Sequence, residues 1–168
     1  IDLSMYLMGN PTPVAVSGSI FTKFAEDDAE ASSEHSSFGE ATKGGTFDVE
    51  DLAMGFIKFD NGACLQIEFS WASNIKEENR FVELRGTKAG LSWKDNGVEI
   101  FTEEDGQLLD IAPRGKMDSN GHKHNIRNFI DVLTEGAEPV FKPSQGVDMI
   151  KILCAIYESA EKGKEIVL

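Results

Sequence analysis

The stretch that decides the fold is VEDLAMGFIKFDNGACLQIEFSW, residues 49–71. Two alternating runs of apolar and polar residues flank Asn61-Gly62, the dipeptide best suited to a two-residue type I′ hairpin turn. A three-residue loop would place Phe56 opposite Gln66, so the hydrophobic pattern favours the tighter turn. The pairs that this turn predicts on the core face are Phe56 with Ile67, Met54 with Phe69, and Leu52 with Trp71.

The opposite face of the predicted hairpin has mixed polarity. It is too polar for a deep core and too apolar to be plainly solvated. Its small residues would let another sheet approach closely, so we expect this face to be a subunit interface that Ile57→Lys would disrupt. The residues of this face are Ala53, Gly55, Ile57, Phe59, Cys64, Gln66, Glu68 and Ser70.

The two ends of the chain predict a helix and a strand. Residues 1–9, IDLSMYLMG, are typical of the end of an amphipathic helix that stops at Gly9, and no capping residue precedes them. We therefore expect the chain to start inside a helix, with a segment upstream removed. Residues 163–168, GKEIVL, follow a glycine stop and predict a final strand.

Length, charge and cysteine content limit the class of protein. A chain of 168 residues with 40% hydrophobic residues can bury its core as one domain. The net charge of −13 argues against binding to nucleic acid or an acidic membrane. Cys64 and Cys154 have no spacing typical of a metal site or disulfide framework, and no apolar run reaches the ~20 residues of a membrane span. We expect a reduced, cytoplasmic protein.

Strands are predicted through the first two thirds of the chain. Residues 11–25 resemble a first strand, and residues 79–93 and 97–113 give further alternating runs, the last around Asp105-Gly106. Residues 26–45 are polar and predict either a surface loop or a segment that orders against a neighbouring domain or subunit.

Two helices follow the strands, and each carries an apolar stripe. Gly136 ends the first helix, which begins near Asn125, while Ser144 caps and Gly163 ends the second. Helices gathered on one face of an open, mostly antiparallel sheet make an α+β fold. The predicted buried stripes are Ile126, Phe129, Ile130 and Leu133, then Val147, Ile150, Cys154 and Tyr157.

The sequence alone assembles no reaction centre. It has no GxGxxG or GxxxxGK[ST] nucleotide signature, and its three histidines complete no Ser/His/Asp set. His122 and His124 lack the further ligands of a metal site, and His35 lies in the polar stretch. The carboxylates Asp48, Glu50 and Asp51 lack calcium-loop spacing and are interpreted as a solvated or capping cluster.

Four blocks in order, the last of them in two pieces, resemble the C-terminal domain of the glucose–fructose oxidoreductase/inositol dehydrogenase (Gfo/Idh/MocA) family. They are IDLSMYLMG, EDLAMGFIKFDNGACLQIEFSW, VELRGTKAGL, FIDVLTEGAEP and SQGVDMIKILCAIYESAEKGKEIVL. The resemblance implies that residues 1–168 form a single substrate and oligomerisation domain. It also implies that an N-terminal Rossmann domain, absent from this chain, binds NAD or NADP.

The resemblance assigns roles residue by residue. The family's catalytic lysine and histidine would both fall outside this chain, which leaves Asp2 as a helix-positioning carboxylate. It implies substrate contacts from the segment after the strand end at Trp71 and from the position before the closing helices, where His122 replaces a common tyrosine. The implied substrate-binding residues are Trp71, Asn74, Asn79, Arg80 and His122.

The function expected from these observations is that of one part of an NAD(P)-dependent oxidoreductase. It would act on the CH–OH group of a sugar, inositol or related polyol, and would be inactive and cofactor-free without its Rossmann domain. Its expected partners are that domain, the polyol and a second subunit at the open sheet face. The alternatives are a non-catalytic assembly module and a small-ligand binder.

Overall fold

The structure is a computed structural model that describes residues 1–24, 48–94, 97–115 and 120–168, so the predicted polar stretch 26–45 lies outside it. The described residues divide into two compact units: unit 1 is Ile1–Glu78 with Val147–Leu168, and unit 2 is Asn79–Gly146. The elements in chain order are α1 Asp2–Leu7, β1 Pro13–Phe21, β2 Leu52–Phe59, β3 Cys64–Ser70, β4 Phe81–Arg85, β5 Ala89–Lys94, β6 Gly97–Glu104, β7 Gln107–Ile111, α2 Gly121–Glu135, α3 Pro143–Lys162 and β8 Ile166–Val167.

The predicted α+β class is confirmed. The eight strands form two four-stranded sheets, β3-β2-β1-β8 in unit 1 and β4-β5-β6-β7 in unit 2. Within the described residues, every strand pair of the two sheets is antiparallel. The predicted strands are therefore present, but they lie in two sheets rather than in one.

The predicted register of the β2–β3 hairpin is wrong by one residue. Gly55 lies opposite Ile67, and Phe56 lies opposite Gln66. The Phe59 N–H donates to the Ala63 carbonyl at 3.0 Å, which closes a three-residue loop over Asp60–Gly62. Gly62 has φ +84°, the left-handed conformation that ends such a loop. The loop geometry therefore outweighs the cross-strand hydrophobic match.

A one-residue shift also inverts the faces of β2. Ile57 is fully buried and Ile67 is nearly so, whereas Phe56 is 42% exposed. The buried cluster of unit 1 lies on the Ile57 side. The prediction that Ile57 belongs to a subunit interface is therefore wrong, because this side chain lies in the core. The cluster consists of Met5, Val16, Ile57, Phe59, Ile67, Ile152, Ala155 and Ile156.

Small residues on the core face of the sheet make room for α3. A Cβ atom at Gly18 would lie 2.8 Å from the Cγ2 atom of Ile156, and one at Gly55 would lie 3.3 Å from its Cδ1 atom. Since real Cβ atoms do not approach so closely at Gly18, only glycine allows the helix to lie this near the strand. The close partner of this face is thus a helix of the same chain.

The predicted buried stripe of α3 lies on the wrong side of the helix. The structure buries Ile152, Ala155, Ile156 and Ser159 instead. The helix begins at Pro143, which places Ser144 inside its first turn, and the Gln145 Oε1 atom accepts the Lys142 N–H at 2.6 Å. The four stripe residues of the prediction, Val147, Ile150, Cys154 and Tyr157, are exposed.

Helix α2 begins at Gly121, four residues before the predicted start, and has no buried residue. Its amphipathic stripe is present, but the predicted burial is wrong: Ile126, Phe129, Ile130 and Leu133 are all exposed. A periodic stripe shows which side of a helix is apolar, but it does not show what covers that side.

The predicted turns and the final strand are confirmed. Gly136 and Gly163 have φ +68° and +62° at the ends of α2 and α3, as helix-stopping glycines do. Asp105 and Gly106 both have positive φ and join β6 to β7. At the end of the chain, β8 pairs with Ala15 and Val16 of β1.

Candidate functional site

Trp71 is an exposed aromatic side chain on a fixed backbone at the end of β3. Its N–H donates to the Asp51 carbonyl at 2.8 Å, and the following residue, Ala72, is buried. The Ser70 hydroxyl donates to the Ala72 carbonyl at 2.8 Å and also contacts the Ser73 hydroxyl. The Trp71 side chain is 67% exposed. The backbone at Trp71 is therefore held in place, and the indole ring is exposed to solvent.

Asp51 holds this end of the sheet together. Its Oδ2 atom accepts hydrogen bonds from the Lys23 and Phe24 N–H groups at 2.6 and 2.7 Å, and its own N–H donates to the Phe21 carbonyl at 3.0 Å. Asp51 is 3% exposed, and its carbonyl accepts from Trp71. Of the three predicted capping carboxylates, Asp51 therefore links the ends of β1, β2 and β3.

Glu50 and Tyr157 are two polar residues at this sheet end that the sequence did not single out as a pair. The Tyr157 hydroxyl donates to the Glu50 Oε2 atom at 2.5 Å across 107 residues of sequence. This hydrogen bond, with a smaller effect of burial, raises the pKa of Tyr157. The phenol therefore stays protonated near neutral pH and can exchange hydrogen bonds with a ligand hydroxyl.

The predicted site residues are distributed over both units. Trp71 and Asn74 belong to unit 1, whereas Asn79, Arg80 and His122 belong to unit 2. Asn74, Asn79 and Arg80 are exposed and already interact with neighbouring groups. Asn79 and Arg80 directly precede β4, an edge strand of the second sheet.

His122 lies exposed in the first turn of α2, not before the helix as predicted. Next to it, the helix surface has a depression of about 110 Å³ lined by Asn120, Lys123, His124 and Arg127. The surroundings of His122 are therefore basic and polar. Such groups can donate hydrogen bonds to hydroxyl or anionic oxygens.

The described residues contain neither a metal-binding cluster nor a membrane-spanning helix. Within residues 1–24, 48–94, 97–115 and 120–168, no group of three His, Cys, Asp or Glu side chains could hold a metal ion. None of the described helices is long and apolar enough to cross a membrane. Asp2 is exposed in the first turn of α1, where a carboxylate interacts favourably with the helix dipole.

The described residues do not fit a dinucleotide. A Rossmann site needs a parallel strand–turn–helix–strand unit whose glycine turn meets the pyrophosphate at a helix N-terminus. The strand pairs among β1 to β8 in the described residues are antiparallel, and the sequence has no GxGxxG turn. The described residues therefore do not form a dinucleotide site of the Rossmann type.

Comparison with known proteins places the chain in a family. The model of the oxidoreductase family's C-terminal alpha/beta domain, GFO_IDH_MocA_C, matches residues 1–168. The D-glucoside 3-dehydrogenase of Escherichia coli strain K12 is 30% identical over 169 residues, which cover 100% of this chain and 46% of that enzyme.

Two solved structures share the fold. An oxidoreductase domain protein from Kribbella flavida has a TM-score of 0.76 and 18% identity, and the match covers 99% of this chain and 48% of that one. GenD2 from gentamicin A biosynthesis, solved in complex with NAD, has a TM-score of 0.64 and 24% identity. The match covers 99% of this chain and 45% of that one.

This chain therefore spans about half the length of the proteins it matches. The resemblance read from its ordered sequence segments is confirmed by the family model over its full length. The chain belongs to the Gfo/Idh/MocA oxidoreductase family and has the fold of that family's C-terminal alpha/beta domain.

Proposed function

We propose that this chain is the substrate domain of an NAD(P)-dependent oxidoreductase that acts on the CH–OH group of a sugar, inositol or related polyol. The observation that carries this proposal is the 30% identity to a D-glucoside 3-dehydrogenase along the entire chain. The dinucleotide is assigned to an N-terminal Rossmann domain, because the described residues here do not fit it.

In this function the chain binds and orients the polyol. When bound, the nicotinamide cofactor accepts a hydride from the reacting carbon. The exposed indole ring of Trp71 stacks on the apolar C–H face of a sugar ring, and its backbone is held by Asp51. The Glu50–Tyr157 pair lies at the same sheet end and offers a phenol and a carboxylate to sugar hydroxyls.

Unit 2 contributes the remaining proposed substrate contacts. Asn79, Arg80 and His122 are polar or basic residues at the start of an edge strand and in the first turn of a helix. We assign them, with Asn74, to hydrogen bonds that select among polyols, because amide, guanidinium and imidazole groups all donate to hydroxyl oxygens. The groups that remove the hydroxyl proton are assigned to residues outside this chain.

The second part of the proposal is assembly through the open face of the first sheet, on the side of Phe56. This face is half apolar and half polar, as subunit interfaces often are. We also assign the protein to the cytoplasm, where the exposed thiols of Cys64 and Cys154 would stay reduced. On β2 and β3 the open face carries Leu52, Met54, Phe56, Lys58, Cys64, Gln66, Glu68 and Ser70.

Calorimetry and kinetics on the two-domain protein test this function. We expect micromolar binding of NAD or NADP by that protein, none by the 168-residue chain, and oxidation of a panel of sugars and inositols. Trp71→Ala should lower kcat/KM about tenfold, mainly through KM, since stacking contributes to binding of the substrate.

The matched control is Phe101→Ala. This substitution removes an exposed aromatic ring that lies in unit 2, away from the end of β3, and it should leave kcat/KM unchanged. Unchanged kinetics for Trp71→Ala would remove Trp71 from the site. A two-domain protein that assembles but binds neither cofactor would favour the assembly module over the enzyme.

A further inference from the structure

Phe69 is an exposed aromatic residue on the core side of the first sheet, the side of Ile57. It follows the buried Ile67 by two residues and precedes Trp71 by two, so the alternation of β3 places all three on one side of the strand. The bond from the Trp71 N–H to the Asp51 carbonyl continues the β2–β3 pairing, so the alternation still holds at Trp71. Phe69 is nevertheless 50% exposed and Trp71 is 67% exposed.

The exposure of Phe69 has a local cause. Its neighbour on β2 is Ala53, whose methyl group is too short to cover a phenyl ring. Among the described residues, the buried cluster that contains Ile67 does not include Phe69. The core therefore ends one turn of the strand before Trp71, and two aromatic rings continue its apolar side into solvent.

The spacing of the two rings suits a ligand that itself has two rings. Residues two apart on a strand are separated by about 6.4–6.8 Å. Two six-membered rings joined through one glycosidic oxygen can each lie on one of two side chains at this spacing. A free monosaccharide or an inositol has a single ring and would leave either Phe69 or Trp71 in water.

The polar groups at this sheet end favour a small molecule over a segment of protein as the occupant. The Glu50 carboxylate directly precedes Asp51 and accepts the Tyr157 hydroxyl at 2.5 Å. Exposed aromatic rings beside a few placed polar groups are typical of a small-molecule site. A protein segment that covered Phe69 and Trp71 would also desolvate this carboxylate, which costs free energy unless the charge is paired.

We propose that Phe69 is a second ring-binding residue of the substrate site, an inference that rests on the proposed function. The substrate is then a glycoside rather than a free sugar or an inositol. Trp71 holds the sugar ring that is oxidised, and Phe69 holds the group linked to that ring, the aglycone. An aromatic aglycone and a second sugar both present an apolar ring face to Phe69.

Steady-state kinetics and calorimetry on the two-domain protein test this assignment. The probes are free inositol, glucose, methyl glucoside, phenyl glucoside and a glucosyl-glucose disaccharide, the glycosides in both anomeric forms. For phenyl glucoside or the disaccharide, kcat/KM should exceed that for methyl glucoside by about threefold to tenfold, mainly through KM, as one more stacked ring predicts. The probe with the larger gain shows whether the aglycone is aromatic or a sugar.

Substitutions at Phe69 should act on this gain alone. Phe69→Leu keeps an apolar side chain but no ring, and it should remove the gain while kcat/KM for methyl glucoside stays within about twofold of the wild-type value. Phe69→Tyr keeps the ring and should retain the gain. The matched control is Phe101→Ala on β6, which removes an exposed phenylalanine ring from unit 2 and should leave all probes unchanged.

Three outcomes would overturn the proposal. They are equal kcat/KM for all the glucosides, an equal effect of Phe69→Leu on every probe, and oxidation of free sugars or inositol without oxidation of glucosides. In each of these the proposed oxidoreductase function still stands.

Failure of the proposed function would look different, because no probe would be oxidised. Calorimetry then decides about Phe69. Tighter binding of phenyl glucoside than of methyl glucoside, lost in Phe69→Leu, would support the ring-binding role and refute the oxidoreductase function. Equal binding of the two glucosides would overturn the ring-binding role as well.

Discussion

The Oγ atom of Ser159 on α3 lies 2.9 Å from the backbone nitrogen of Gly18 on β1 and accepts its hydrogen bond. The same hydroxyl donates to the Lys164 carbonyl at 2.7 Å. The two-residue strand β8 pairs with β1 only at Ala15 and Val16, so Gly18 has no strand partner on that side. The buried Ser159 hydroxyl replaces that partner and joins the helix to the edge of the sheet.

Ser159→Ala should lower the free energy of unfolding by about 1 kcal/mol or more, because it removes a buried hydroxyl that bonds both the half-buried Gly18 N–H and the Lys164 carbonyl. Urea denaturation measures the change. Ser144→Ala in the exposed first turn of α3 is the control and should change stability by about 0.5 kcal/mol or less. Equal effects of the two substitutions would refute this role.

Gly62→Ala should cost about 1–2 kcal/mol, because alanine at φ +84° is strained even though no neighbouring atom blocks its Cβ. Gly62→Asn should cost less, since asparagine tolerates this conformation. Asn61→Ala loses only the exposed bond from the Ala63 N–H to the Asn61 Oδ1 atom. A larger cost at Asn61 than at Gly62 would instead indicate the two-residue type I′ turn.

The pKa of Tyr157 should lie above that of an ordinary tyrosine and should fall when Glu50 is changed to Gln. Since the folded-state pKa is raised, the hydrogen bond stabilises the protein below the unfolded-state pKa and is lost as pH rises through the folded-state value. Phenolate absorbance in a Tyr6→Phe background reports Tyr157 alone. An unchanged midpoint in Glu50→Gln would show that the carboxylate does not cause the shift.

Lysine substitutions at two adjacent positions of β2 should have different effects. Phe56→Lys should leave the chain folded and, if the open face is the proposed subunit interface, shift the protein to monomer, because Phe56 lies on that face. Ile57→Lys should unfold unit 1, because it buries an unpaired charge at a fully buried position. Circular dichroism and sedimentation across dilution separate the two effects. A folded Ile57→Lys monomer would contradict the observed register.

His122→Ala should lower kcat/KM of the two-domain enzyme by about twofold to tenfold, as expected for the loss of one hydrogen bond to a sugar hydroxyl. Its stability should change little, because His122 is exposed in the first turn of α2. Steady-state kinetics with several sugars measures the effect. Wild-type kinetics with all of them would leave His122 as a solvent-exposed residue of the helix.

The individual residues of the candidate site were easier to predict than the pairs of residues that the fold brings together there. The end of β3 at Trp71 was predictable because alternation stops there, and Asp51 was predictable as a capping carboxylate. The pair of Glu50 and Tyr157 was not, because 107 residues separate the two and tyrosine in a helix resembles any other apolar stripe residue. Contacts between distant segments leave no periodic signal in one sequence.

The sequence by itself determined the α+β class, the family, and the positions of the turns at Gly9, Gly62, Gly136 and Gly163, though not the length of the loop at Gly62, since these positions depend on local propensity, glycine conformation and ordered segments. Only the tertiary structure decided which side of each element is buried. The apolar stripe of α3 could face either way until Gly18 and Gly55 made room for Ile156 on one side. Likewise, the hairpin pattern allowed two registers one residue apart. The Gly62 loop and the packing of α3 against Ile57 select between them, because a shift of one residue exchanges the two faces of a strand.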